Sequence, residues 1–322
     1  MKLSTQSRQN SNYGTIFLFG PTAAGKTDLL CSFFSQSCQV VNADSVQVYR
    51  HLDIGSAKAS ALERRTIAHY LIDIRDPWET WNAKDFVTEA DIACSLIRRL
   101  GKIPVISGGT AFYFRSFLYG LSDAPASDAS VREEVARFLR EQGNAEAHSY
   151  LKRIDPVSAA RINVNDTYRI SRAIEVYRTS GRALSSFDVP KKPRKGPAVL
   201  AIGLQCDREI LARRIHERVL SMFAGGLVDE IRHLLEMGAN PGWQSMQGIG
   251  YREFMTALEG GKSLDNLDFE AIAGQIAVNS IHYAKRQMTF FRSFTNVHWI
   301  DAWDVKALLS ILNTELPDCQ WG

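Results

Sequence analysis

The sequence predicts an α/β fold, a parallel sheet flanked by helices and interrupted by a helical insertion. Three observations carry that expectation. Gly20-Pro21-Thr22-Ala23-Ala24-Gly25-Lys26-Thr27 fits the phosphate-loop pattern G-x-x-x-x-G-K-[ST] and stands between a strand-like and a helix-like run. Strand-like and helix-like patterns alternate over the first 120 residues, as in units that build parallel sheets. Near residue 122 the pattern turns helical and charged, until an apolar run at 198–204 resumes the strand character.

Residues 15–19 are β-branched and aromatic and read as the first buried strand. Residues 28–34 follow the loop as a helix. Strand, glycine loop and helix N-terminus then make an anion site, where backbone N–H groups and the positive end of the helix dipole meet a phosphate. Lys26 adds a full charge, and the Thr27 hydroxyl is placed to ligate Mg²⁺. Residues 39–44 read as the second strand and 69–74 as the third. Residues 83–100 carry Phe86, Ala90, Ala93, Leu96 and Ile97 at helical spacing and stop at Gly101. Residues 103–107 read as a strand ending in Gly108-Gly109-Thr110.

The segment 122–128 is linker-like, and the insertion is expected over 124–198. It holds 14 Lys and Arg against 9 Asp and Glu, a surplus of +5, whereas the whole chain is only +3. Within it, 166–181 reads as a helix capped by Asn165 or Asp166 and closed by Gly181. A Pro/Lys-rich loop covers 187–197, one more buried strand covers 198–204, and helices follow to about Thr289. The core is thus expected over 14–123 and 199–315, behind a flexible tail at 1–13.

A chain of 322 residues that is 45% hydrophobic can bury one large or two ordinary cores. The five cysteines form no C-x-x-C pair and are odd in number, which disfavours a disulfide framework or a zinc site and fits reduced thiols. The polar N-terminus lacks the apolar stretch of a secretory signal, and no apolar run is long enough for a membrane span. A cytoplasmic protein without a membrane partner is expected.

Ligands of such sheets sit beyond the carboxyl ends of the strands. Three polar clusters fall there: the phosphate loop, Asp44-Ser45 and Gly108-Gly109-Thr110. Asp44 could serve as a general base, or it could cap the next element or hold Mg²⁺ through water. Thr110 could touch substrate or belong to a tight strand-to-helix turn. Asp73 could pass for a Walker B acid, although an ordinary strand aspartate is the commoner case. Arg169 and Arg172 give helix 166–181 a basic face opposite Ile170, Ile174 and Tyr177, either for nucleic-acid phosphates or for solvent. Tyr283-Ala284-Lys285-Arg286-Gln287 with Phe290-Phe291-Arg292 is a second basic and aromatic cluster, alternatively a surface helix with its aromatics inward.

Together these segments resemble the bacterial-type tRNA dimethylallyltransferases. The matching pieces are GPTAAGKT (20–27), NADSVQVYRHLDIGSAK (42–58), HYLIDIRDP (69–77), FVTEA (86–90), GKIPVISGGTAFYFRSFLYGLS (101–122), NDTYRISRAIEVYRTSGR (165–182), GGLVDEI (225–231), IGYREF (249–254) and YAKRQMTFFR (283–292). The resemblance implies a P-loop NTPase-like core with a helical insertion. It implies transfer of a dimethylallyl group from dimethylallyl diphosphate to the exocyclic amine of the adenosine 3′ of the anticodon. Matched to the family's motifs, Asp44 is the general base and Thr110 a substrate contact. Lys26, Thr27 with Mg²⁺ and the amides of Gly20 to Thr27 hold the leaving diphosphate. Asp44, Ser45, Val46, Gln47 and Thr110 match a strip that contacts the extruded base. Tyr168, Arg169, Ile170, Ser171 and Arg172 match a second tRNA-contacting strip, and Arg252, Lys285 and Arg286 are further phosphate or diphosphate candidates. The implied partners are the tRNA anticodon stem-loop and dimethylallyl diphosphate, with the protein a monomer. Two departures from the family pattern are Ala24, where Ser or Thr is usual, and Ile281-His282, where Arg-Gln is usual.

Other classes share parts of this pattern. An adenylate isopentenyltransferase would have the loop and the base but no need of a basic insertion. A P-loop kinase of a small metabolite would transfer phosphoryl groups from ATP. A non-catalytic RNA-binding protein would not need Lys26, Asp44 and Thr110 together.

Overall fold

The computed structural model describes residues 13–196 and 198–322. The tail expected over 1–13 lies outside the described residues except for Tyr13, which opens the first strand rather than ending a tail. The chain divides into two compact units, one comprising residues up to Leu118 and from Lys195 onward, the other Tyr119–Arg194.

Among the described residues, the first unit holds a six-stranded, wholly parallel sheet: β1 (Tyr13–Phe19), β2 (Cys38–Asn42), β3 (His69–Tyr70), β4 (Ile103–Gly108), β5 (Ala198–Gln205) and β6 (Val297–Asp301), in the order β3-β2-β4-β1-β5-β6. The helices α1 (Lys26–Leu29), α2 (Ala61–Thr66), α3 (Ala83–Arg99) and α4 (Ala111–Tyr119) precede the second unit, which contains α5 (Ala129–Ile154), α6 (Pro156–Ala159) and α7 (Thr167–Ser180). The first unit then resumes with α8 (Arg208–Ala224), α9 (Leu227–Glu236), α10 (Arg252–Ala257), α11 (Phe269–Phe291) and α12 (Val305–Glu315).

β1 is buried on both faces, which explains its unbroken apolar run. Ile16 and Leu18 pack into a core with Leu30, Phe34, Leu308 and Leu312. Phe17 and Phe19 serve the other face: Phe17 meets Phe114 edge-on at 5.2 Å, and Phe19 stacks on Phe291 at 4.5 Å. That stack fixes the end of α11 against the sheet one helical turn beyond Gln287.

Two local readings of the sequence are corrected. The third strand stops at Tyr70, because Leu71 (φ 64°) and Asp73 (φ 56°) adopt left-handed backbone that an extended strand cannot hold. Asp73 is no Walker B acid at a strand end. Its two carboxylate oxygens accept from Lys58 and Arg64, each at 2.6 Å. The segment after the phosphate loop is helical as expected, a single α-helical turn that widens into a π-helical turn over Leu30–Phe34. β6 was not anticipated, since its half-exposed edge sequence VHWID lacks the apolar density of the inner strands.

The second unit is helical. Asp166 caps α7 through Arg169 N–H, and Gly181 ends it at φ 69°, where a side chain would be strained. Gly143 breaks the course of α5. The core of this unit is built from Val135, Ala147, Leu151, Ile170, Ala173 and Ile174.

Burial raises the Asp73 pKa, but hydrogen bonds and charge from Lys58 and Arg64 outweigh it and hold the carboxyl below its ordinary value. A carboxyl depressed on folding stabilises the fold above its unfolded pKa, about 3.9, and ceases to do so as pH falls through the lower folded value. Asp73→Asn is therefore expected to lower the melting temperature at neutral pH, with the gap to wild type closing below about pH 4 in a pH series of thermal melts.

Candidate functional site

The site begins with the way β1, β2 and β4 end side by side. After β2, Ala43 N–H donates to Ser107 O at 2.7 Å, and Thr110 N–H donates to Ala43 O at 3.0 Å. A Cβ on Gly108 would overlap the Ala43 carbonyl, so only glycine permits this approach. The clamp delivers Asp44 to the mouth of the cleft, while Thr110 lines neither of its cavities. The Thr110 hydroxyl accepts from Ser45 N–H at 3.0 Å, so Thr110 positions the strip behind Asp44. Asp44 divides its oxygens: Oδ1 accepts from Val46 N–H at 2.9 Å and Gln47 N–H at 3.3 Å, capping the turn. Oδ2 faces Gly109, 3.5 Å from where a side chain there would begin. The capping role and the basic role considered for Asp44 are thus compatible.

The phosphate loop has the strained backbone that its glycines and alanines serve, with Gly25 at φ 78° and Ala23 at φ 62°. Ala24 is wholly buried, so the absence of the usual hydroxyl exposes no gap to solvent. Lys26 Nζ donates to Gly20 O (3.1 Å) and Pro21 O (2.8 Å), which leaves one of its three donors for a phosphate. Burial, then the neighbouring Arg218 cation, lowers the Lys26 pKa to about 8, with Asp44 opposing. Thr27 lines the same cavity.

Four residues that the sequence did not offer as site residues complete the loop's surroundings. Arg218 Nη1 donates to Thr22 Oγ1 at 3.0 Å, and burial lowers its pKa. Arg214 Nε donates to Ala23 O at 3.0 Å and stacks its guanidinium over Trp303 at 5.2 Å. Gln287, almost fully buried on α11, accepts from Thr22 N–H at 2.9 Å and donates to Gly109 O at 2.7 Å. Tyr283, one turn earlier, donates to Gly109 O at 3.0 Å, and its hydroxyl is pushed above its ordinary pKa by burial and by Asp44. Gln287 and Tyr283 were visible only as part of a basic and aromatic helix. Arg214 and Arg218 carried no local signal, because their role comes from α8 crossing the loop.

Two adjoining cavities result. One, about 440 Å³, is lined by the phosphate loop from Thr22 to Asp28 together with Arg214. The other, about 250 Å³, is lined by Ser45, Val46, Ile249, Arg252 and Arg286 among others. They share Thr22, Asp44, Ser56, Arg218 and Tyr283, and the larger falls within the roughly 300–1,000 Å³ of small-molecule sites.

The run 42–58 that contains Asp44 is locked by side chains within it and around it. Gln47 Nε2 donates to Ser56 O and Ala57 O, both at 3.1 Å, so its amide nitrogen serves the loop. Lys58 Nζ reaches Tyr49 O and Asp53 as well as Asp73. Glu230 accepts from the N–H groups of Asp53, Ile54 and Gly55 and from Tyr251 OH.

Not every residue named from sequence reaches the cleft. Lys285 is exposed and lines neither cavity, as are Ile281 and His282. The strip Tyr168–Arg172 belongs to the helical unit. There Tyr168 and Arg169 are exposed, Arg169 pairing with Asp166 at 2.8 Å. Ile170 is fully buried in that unit's core and cannot present itself to RNA. Arg172 donates to Ser127 Oγ and Pro125 O, holding the linker-like stretch to α7. Ser171 Oγ is turned back to Tyr168 O. Among the described residues no group of His, Cys, Asp and Glu forms a metal cluster, all five cysteines are free, and no helix is long and apolar enough to cross a membrane.

Removing a buried hydrogen-bonding partner costs about 1–3 kcal/mol. Gln287→Leu strips the tie from Thr22 N–H, so the affinity for inorganic diphosphate, measured by calorimetric titration, is expected to fall about tenfold or more. An unchanged affinity would show that the tie does not order the loop.

Known proteins resemble this chain along most of its length. The family model described as IPP transferase matches residues 47–294. The chain is 38% identical over 305 residues to a tRNA dimethylallyltransferase of Syntrophobacter fumaroxidans, covering 94% of this chain and 88% of that one. It is 41% identical over 288 residues to one of Geobacter metallireducens, covering 89% and 92%. Among solved structures, the tRNA isopentenylpyrophosphate transferase of Bacillus halodurans superposes with a TM-score of 0.65 at 33% identity, covering 95% of this chain and 97% of that one. A eukaryotic dimethylallyltransferase acting on tRNA superposes with a TM-score of 0.71 at 26% identity, covering 94% and 76%. With the phosphate loop, Asp44 and the locked run 42–58 in the arrangement described, the chain belongs to the IPP transferase family.

Proposed function

We propose that this protein transfers a dimethylallyl group from dimethylallyl diphosphate to the exocyclic amine of the adenosine just 3′ of the anticodon in tRNA, releasing diphosphate. The observation that carries this reading is the position of Asp44, at the junction of a phosphate-loop cavity and a second cavity bordered by Arg252 and Arg286. A kinase would need only the first cavity and a small acceptor. The second gives a nucleobase its own approach to the carboxylate.

The diphosphate lies on the amides of the phosphate loop, against Lys26 and Arg218. As the C1–O bond breaks, its electron pair passes to the diphosphate oxygen, and these cations stabilise the developing charge. The lone pair of the adenine amine forms the C1–N bond, and a proton leaves that nitrogen for Asp44 Oδ2. Adenine amines are weak nucleophiles, so removal of the proton by a carboxylate of fixed orientation matters. Thr110 holds Ser45, and so the strip beneath the base. Mg²⁺ suits the single hydroxyl of Thr27, because that ion keeps several waters and binds through phosphates rather than through a cage of carboxylates. Bound there, it would offset diphosphate charge.

The target base must leave the anticodon stack before it reaches Asp44. Ser45, Val46 and the Gln47 carbonyl side border its path, with Arg252 and Arg286 for neighbouring phosphates. Tyr168 and Arg169 on the basic helical unit supply a second contact to the RNA. The protein acts as a monomer in the cytoplasm.

The decisive experiment incubates the protein with labelled dimethylallyl diphosphate, Mg²⁺ and either tRNA or AMP. Label is expected on tRNA, and transfer to AMP at a comparable rate would favour the adenylate enzyme instead. Asp44→Ala is expected to lower transfer about 10²–10⁴-fold while tRNA affinity stays within a few-fold. A fully active variant would remove Asp44 from the base role. Tyr168→Ala with Arg169→Ala is expected to weaken tRNA binding and to reduce the slope of log K against log salt by about one. Identical binding isotherms at several salt concentrations would exclude this face from the RNA contact.

A further inference from the structure

The smaller cavity has two kinds of lining residue. Ser45, Gln247, Arg252, Ser280 and Arg286 contribute polar groups to its lining. Ile215, Val219, Met222 and Ile276 contribute buried aliphatic side chains, with exposures of 2, 3, 7 and 2%. Ile215, Val219 and Met222 recur at i, i+4 and i+7 on α8, which sets them on one helical face. Arg218 shares that face and reaches Thr22 of the phosphate loop. One surface of α8 therefore carries both the cation that reaches the phosphate loop and, further along the helix, the aliphatic side chains of this cavity.

We propose that this stripe of α8, closed by Met222 and Ile276, is the gauge that limits the donor to a five-carbon prenyl group. The inference rests on the reading under Proposed function and adds the element that sets donor length. C1 of the donor is bonded to the diphosphate, so it lies at the junction beside Asp44 and Arg218. An adenine tethered to an RNA backbone needs the polar groups of the lining. The branched hydrocarbon tail is the remaining apolar part of the reactants, and the aliphatic wall is the surface that removes it from water. A ten-carbon tail would meet Met222 and Ile276. The bonds exchanged are the same for either donor: C1–O breaks toward diphosphate, C1–N forms, and the amine proton leaves for Asp44.

The test compares dimethylallyl with geranyl diphosphate, using tRNA as acceptor, for wild type, Met222→Ala and Val219→Ala. One methylene in an apolar pocket is worth roughly 10–200-fold in discrimination. Shortening the wall is expected to raise the geranyl-to-dimethylallyl ratio of kcat/KM by at least about tenfold. Val219→Phe fills the same wall, and should weaken binding of dimethylallyl diphosphate about tenfold while binding of inorganic diphosphate stays within about twofold. An unchanged donor ratio in a shortened variant that still transfers dimethylallyl groups, or equal loss of both ligands in Val219→Phe, would overturn the gauge. Wild-type protein that transfers nothing to tRNA would instead overturn the reading on which the gauge rests.

Discussion

Ala43 lies against the end of β4 so closely that position 108 must be glycine, and two backbone hydrogen bonds hold it there, one from Ala43 to Ser107 and one from Thr110 to Ala43. Much of the site's geometry follows from that contact. It turns the chain after β2 into the cleft, so Asp44 emerges beside the phosphate loop. It brings Thr110 beneath Ser45, and it leaves the Gly109 carbonyl facing α11. Because strand ends in a parallel sheet are set by the ladder, the carboxylate is placed by rigid backbone, and side-chain flexibility contributes little to its position.

The second support comes from α11, far away in sequence. Phe291 stacks on Phe19 in the sheet core, and Gln287, one turn earlier, bridges Thr22 of the phosphate loop to Gly109. One buried amide thus joins the ends of β1 and β4. A buried amide is costly unless its donor and acceptor are both matched, and here both are. α8 supplies the cations: Arg214 and Arg218 hold the loop's carbonyl and hydroxyl. Together with Lys26 they line the phosphate-loop cavity with positive charge.

The loop between β2 and α2 is stabilised largely by polar contacts. Lys58 is nearly sealed from solvent and satisfied by a carbonyl and two carboxylates, while Glu230 collects three consecutive N–H groups. These ties hold the run 42–58 in one fixed conformation. Asp44 needs a fixed turn, the turn needs Gln47 and Lys58, and Lys58 needs Asp73, which ends the neighbouring strand early. The truncation of β3 at Tyr70 is therefore part of the same polar network.

The sequence by itself determined the parallel α/β core, the phosphate loop, the helix capped by Asp166 and Gly181, and the candidacy of Lys26, Thr27, Asp44 and Thr110. Those features rest on local rules: periodicity, glycine in left-handed turns, and side chains that cap the residues next to them. Only the tertiary structure decided the partners. Gln287 and Arg218 are separated from Thr22 by most of the chain, so no local pattern could pair them. Ile170 and Arg169 are neighbours in one motif, yet packing buried the first and exposed the second. Asp73 looked like a strand carboxylate until two cations from the preceding loop and helix fixed it in a backbone conformation that no strand allows.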